Sequence, residues 1–280
     1  MPVKTILAYL PSESLAEPVT DGAIALARAR GAHVVGLHLE ASYYPAYGEV
    51  AIAMPPDVIE QIRQPLRERA KKLEENFKAR MAEAGINAEW RSDTTEYGVL
   101  PRRIADEAVS ADLVMCPQVS RDQVDVTTLD LPERLILECG RPVLVIPPQT
   151  NAAIPPKRVL IAWNNSPQSA RAVFDSLDLI KDAEDITVVT LAADADERSE
   201  AEDRAGKLAA SLKRHGLQAK VDAVEAGTSA GDYLMSRLDR DGTDLLVMGC
   251  YGHSRFRELV FGGVTRDMLG GVKVPTLMSH

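Results

Sequence analysis

The chain has 280 residues, 45% hydrophobic but only 5% aromatic, enough for more than one aliphatic core. Its formal net charge is -9, and both halves are acidic: 16 basic against 22 acidic residues up to Thr150, then 16 against 19. That balance argues against a nucleic-acid groove, and no run of about eighteen apolar residues offers a membrane span. The odd set Cys116, Cys139 and Cys250 has no metal or redox spacing, so a reducing cytoplasm fits best. The histidines form no ligand cluster, and no metal site is expected.

In chain order, VKTILAYL predicts a first strand, not a signal peptide, because no charged leader precedes it. ESLAEPVTDGAIALARARG predicts a helix, HVVGLHLE a strand, the stretch up to Gly85 a long helix, and INAEWRS a strand. PPQTNAAIPP (147–156) predicts a semi-rigid linker, with a boundary near Asn151. After it, KRVLIAW is a strand and SPQSARAVFDSLDLI a helix, opened by a Ser cap and Pro at its first position. ITVVTLAA, the amphipathic ERSEAEDRAGKLAASLKRHG, AKVDAVEAG, SAGDYLMSRLDRDG and DLLVMG continue the alternation. Strands alternating with helices predict parallel sheets covered on both faces.

The chain resembles itself. DLVMC (112–116) matches LLVMG (245–249), and RPVLVIP (141–147) matches VPTLMSH (274–280). Matching Met115 with Met248 sets an offset of 133, and ILAYLPSES with LIAWNNSPQ an offset of 154. The surplus in the first half falls in the Pro- and Tyr-rich stretch 42–62. Two domains are expected, residues 1–148 and 156–280. Their last segments, VLVIP and VPTLM, are apolar edge strands in need of cover, and are expected to meet within the chain or between chains.

One segment concentrates glycine: GCYGHSRFRELVFGGVT, from Gly249 to Thr265. It directly follows the fourth strand of the second half. In open α/β sheets ligands bind beyond the carboxyl ends of strands, where strand order reverses. The loop Trp163-Asn164-Asn165-Ser166 should face it there. Bare amides at a helix N-terminus suit an anion, and glycine lets a phosphate come close. The glycines could equally punctuate turns. Neither a Walker-type loop nor Gly-x-Gly-x-x-Gly after a strand occurs.

Gly-x-x-Gly, nine residues, then Gly and a small residue resembles the ATP-binding signature of the universal stress protein family, and LIAWNNSPQSARAV resembles that family's first strand and turn. The resemblance extends to both halves, as a tandem of two such domains. It implies an α/β fold of two Rossmann-like (adenine nucleotide alpha hydrolase-like) domains, each a five-stranded parallel sheet of order 3-2-1-4-5 with helices on both faces. It also implies an adenine nucleotide, ATP with or without Mg²⁺, at the crevice between strands one and four. Gly249 and Gly252 would face the phosphates. Gly262, Gly263, Val264 and Thr265 would line the ribose-phosphate end, with His253 beside them. Asn164 would lie near ribose and base, and Leu191 would read the adenine. Ala162, Trp163, Ser166 and Met248 complete the expected site; Trp163 either stacks near a base or packs at its strand end.

Two positions depart from that pattern: Gly263 removes a hydroxyl that Thr265 could replace, and Asn164 lacks the charge of the usual Asp. In the first half Cys116-Pro117-Gln118-Val119 replaces Gly-x-x-Gly, and Leu129-Asp130 replaces the later glycines, so that half should keep the fold and lose the site. No nucleophile–base pair stands out. Three functions remain open: a regulatory stress-response protein that binds nucleotide, a slow ATPase, and a nucleotide-free scaffold. The expected partners are the nucleotide and a second domain, in an intrachain pseudo-dimer or a homo-oligomer.

Overall fold

The computed structural model describes residues 2–42, 56–96, 99–119, 131–150, 152–225, 229–250 and 264–280. Strands and helices alternate from start to end. The order is β1 (Thr5–Tyr9), α1 (Glu13–Arg30), β2 (His33–Ser42), α2 (Pro56–Ala84), β3 (Ala88–Glu96), α3 (Leu100–Ala108), β4 (Leu113–Pro117), α4 (Leu131–Glu138) and β5 (Val143–Ile146). It continues with β6 (Arg158–Ala162), α5 (Pro167–Ile180), β7 (Asp185–Ala192), α6 (Ala195–Arg214), β8 (Ala219–Glu225), α7 (Ala230–Asp241), β9 (Leu245–Gly249), α8 (Val264–Gly271) and β10 (Thr276–Ser279).

Local chemistry explains the boundaries. α5 opens with a capping box in which Ser166 and Ser169 satisfy each other's backbone amides, and Pro167 needs none. α7 starts at Ser229 and stops at Gly242, whose φ of 58° is readily available to glycine. The central strands are apolar on both sides because helices cover both sides.

All the strands form one sheet, in the order β3-β2-β1-β4-β5-β10-β9-β6-β7-β8. The sequence led to a five-stranded sheet in each half whose last strands meet; they meet within the chain and so join the two into one sheet. Every ladder is parallel except β5–β10, which is antiparallel, with Thr276 opposite Val145 and Met278 opposite Val143. The two strands that would have been exposed edges bury each other. Alternate residues feed two cores. Ile6, Ala8, Val159, Ile161 and Leu277 face α1, α2, α5 and α6; Leu7, Tyr9, Leu160 and Met278 face α3, α4, α7 and α8.

These faces correct the repeat register. Asp112 donates its amide to Thr5 and accepts those of Lys4 and Thr5; Asp244 does the same for Arg158, and for Lys157 and Arg158. From Thr5 to Arg158 is 153 positions and from Asp112 to Asp244 is 132, each one fewer than residue identity set. Met115 therefore corresponds to Val247, Cys116 to Met248, Pro117 to Gly249, and Tyr9 to Ala162. A slip of one residue moves every side chain of a strand to its other face, so the difference decides what each crevice contains.

The halves are also clamped through side chains. Arg30, at the end of α1, has a side chain only 3% exposed; it donates to Asp182 Oδ2 at 2.6 Å and to the carbonyl of Asp178 at 2.9 Å. A cation at the C-terminal end of α5 meets the negative end of that helix dipole.

Candidate functional site

Strand order reverses between β6 and β9, so the ligand crevice of an open α/β sheet is expected at their carboxyl ends. Its floor is made of neighbours. Ala162 pairs with Met248 on one side and Val189 on the other, and Leu191 lies two residues further along β7. Ala162 and Leu191 are half-buried, whereas Met248 is buried among the residues that face α7 and α8.

One wall is the turn into α5. Asn164 is exposed, and its Oδ1 accepts from the amide and the hydroxyl of Ser166, the latter at 2.7 Å. Asn165 takes φ 56°, which Asn tolerates better than most residues. Ser166 is buried, and its hydroxyl also accepts from the Ser169 amide. Ser166, expected in the ligand site, thus spends its hydroxyl on the helix cap. Asn164 holds the turn through its oxygen, a role the Asp of the related signature could fill equally. Trp163 packs in the core beneath α5 and α6, 9% exposed, so its indole does not stand free to stack on a base.

Gly249 ends β9. A Cβ there would run into the backbone of Gln168 and Ser169 in the first turn of α5. Bare backbone at this position is needed to seat a helix against a strand, a requirement met inside the protein. The sequence assigned this glycine to phosphates; the contact with α5 is a further demand for bare backbone at the same place. Cys250 is fully buried, and burial above all, with Glu133 next, pushes its thiol far up, which leaves it unreactive. Val264 and Thr265 open α8. Gly252, His253, Gly262 and Gly263 lie outside the described residues, as do the arginines between them, residues 43–55 of the surplus stretch, and Leu129-Asp130.

The corresponding place in the first half is the junction of β1 and β4. There Tyr9 stands where Ala162 stands in the second half, and it is 1% exposed. Burial first, then Cys116 and Glu40, pushes its phenol well above the ordinary range, so the ring is neutral at any physiological pH. Pro117 takes the place of Gly249. Sequence reasoning missed Tyr9, because reading the repeat one residue out set Tyr9 against Trp163.

Among the described residues no group of His, Cys, Asp or Glu could hold a metal ion, and no helix is long and apolar enough to cross a membrane.

One mostly parallel sheet whose strand order reverses once in each half, with helices on both faces, defines the class of protein: a doubly wound α/β fold. Residues 156–280 match the model of the universal stress protein family. A universal stress protein of Synechocystis is 28% identical over 148 residues, 52% of this chain and 49% of the relative. The chain thus spans about half the length of that relative. A universal stress protein structure from Archaeoglobus fulgidus superposes over 100% of this chain and 99% of its own, with TM-score 0.71 at 13% identity. A functionally unknown protein from Pseudomonas aeruginosa covers 99% of this chain and 92% of its own, with TM-score 0.57 at 13% identity. At such identities the likeness establishes the fold.

Proposed function

We propose that the chain is a tandem of two universal stress protein domains, 1–148 and 156–280, each a five-stranded unit of order 3-2-1-4-5. The second domain binds ATP or a related adenine nucleotide in the crevice between β6 and β9. The first has given up its site. The observation that carries this reading is the contrast at the strand reversals: a small, half-buried Ala162 in the second half stands where the first half has the large, buried ring of Tyr9. The family match over 156–280, with its glycine signature, points to the ligand class. Occupancy of the crevice would set the protein's conformation or association in a cytoplasmic stress response.

The residues described around the crevice supply no base or nucleophile, so binding and not turnover is the function we assign. Mass spectrometry of small molecules released from the denatured protein tests ligand identity, and titration calorimetry tests stoichiometry. One adenine nucleotide per chain is expected; two equivalent sites would overturn the assignment. Gly252→Val is expected to abolish binding and leave the fold intact. A micromolar affinity is worth about 8 kcal/mol, so the loss would be plain as a missing ligand-induced rise in Tm. Phosphate release over a long incubation would move the reading to a slow ATPase. A protein purified free of nucleotide that shows no ATP shift would move it to a scaffold.

A further inference from the structure

The seam between the halves has two grooves, one on each side of the β5–β10 pair, related by the repeat. The first is occupied by the chain itself. The linker crosses it with bends at Ile154 and Pro155. Ile154 lies over Gly22 and Ile146, and a Cβ on Gly22 would meet Ile154 Cδ1 at 3.2 Å and Ile146 Cδ1 at 3.8 Å. Asp244 fastens the linker's main chain, accepting from the amides of Ala153 at 3.4 Å, Lys157 at 3.0 Å and Arg158 at 2.9 Å.

The second groove is a cavity of about 130 Å³ whose walls include Asp112, Arg141, Arg171 and Asp175. At roughly 30 Å³ per water, that is room for one side chain. Its chemistry has been exchanged for that of its mate. Asp175 corresponds to Gly22, Ser279 to Ile146 and Arg171 to Pro18. Ser279 Oγ donates to Asp175 at 3.0 Å, and Arg171 reaches Asp175 at 3.3 Å and the Gly140 carbonyl at 2.9 Å. Arg141 donates through Nε and Nη2 to the Val109 carbonyl. Each guanidinium keeps Nη1 for another acceptor among the described residues. Asp112 repeats Asp244, with Oδ2 on the amides of Lys4 and Thr5. Its Oδ1 corresponds to the oxygen that takes the Ala153 amide of the linker.

We propose that this second groove docks an acidic segment of a partner protein, held as the linker is held in the first. The segment's main-chain amide would meet Asp112 Oδ1. One acidic side chain would enter the cavity, where the linker places Ile154, and take the open Nη1 groups of Arg141 and Arg171. Guanidinium to carboxylate is the strong pairing for such a site. A partner docked here would touch both halves at once.

A labelled hexapeptide copied from residues 152–157 with glutamate for isoleucine, Ala-Ala-Glu-Pro-Pro-Lys, is the probe, read by fluorescence anisotropy on the full chain. Binding in the high-micromolar to millimolar range is expected, weaker by about tenfold or more when isoleucine or lysine replaces the glutamate. Arg171→Glu should invert that order and favour the lysine peptide. If that variant unfolds, Arg141→Glu makes the same test from the opposite wall. Equal binding of the three peptides, or an order unchanged by charge reversal, would overturn the proposal. So would displacement of the probe by equimolar glutarate or inorganic phosphate, which would mark a site for free small anions.

Discussion

The two strand reversals of this molecule share a backbone plan and differ in what fills them. At β6–β9 a small, half-buried residue, Ala162, ends its strand, and Gly249 lets α5 settle against the strand end. At β1–β4 the same places hold Tyr9 and Pro117, and the ring is buried. α1 also begins less tightly: its cap residue Ser12 makes no side-chain cap bond, where Ser166 makes a complete box.

The comparison can be broken most sharply by moving the plug. Ala162→Tyr should cost at least a hundredfold in nucleotide affinity, about 2.7 kcal/mol, with little change in Tm, as measured by calorimetry and thermal unfolding. Retained affinity would show that the ligand avoids this floor. Next in size is Gly249→Val. Overlap with the Gln168–Ser169 backbone should destabilise the fold by about 3 kcal/mol or more in denaturant unfolding, whereas Pro117→Val should cost less than half as much. Tyr9→Ala should cost about 3 kcal/mol by leaving a cavity in the first half. It should not create a second nucleotide site, because Pro117 remains; a stoichiometry of two would mean that the tyrosine alone closes the crevice.

The smallest effect concerns the seam. Burial pushes the Asp178 carboxyl up, but the Val3 amide, Lys181 and Arg30 outweigh it and hold it below the usual carboxylate range. A carboxyl depressed in the folded state contributes stability that is complete above its unfolded pKa, about 3.9, and is lost as pH falls through the lower folded value. Asp178→Asn should therefore be less stable than the parent at neutral pH, and the gap should close below about pH 4. A gap that widens in acid would contradict the assignment.

Much of the architecture was legible in the sequence, for physical reasons. Apolar runs such as VLIA and LLVM can only be strands covered on both faces, and Ser-Pro starts and Gly ends bound α5 and α7. The repeat was legible, but its register was not. Met115 and Met248 are both methionine, yet one faces α1 and the other faces α7 and α8. Identity at a single position carries no information about which way a strand is turned, and the aspartates that do carry it, Asp112 and Asp244, show their common role only through backbone bonds. The candidate site divided along the same line. The strand reversal between β6 and β9 agrees with the order that the resemblance implied. The roles of Trp163, Ser166 and Gly249 depended on neighbours distant in three dimensions or on cap geometry.

The antiparallel meeting of β5 and β10 has a further consequence, which concerns how such a molecule can change. When two copies of a protein associate through a strand, every substitution appears in both, and a site lost from one is lost from the other. Here the strands that meet belong to one chain, tied by a short proline-rich connection. Such a tether holds its ends at an effective concentration of the order of millimolar. The pairing then persists at any dilution, and each half is free to drift alone. One can keep a ligand and the other can become a permanent, inert partner, its old crevice packed solid and its surface released for different work.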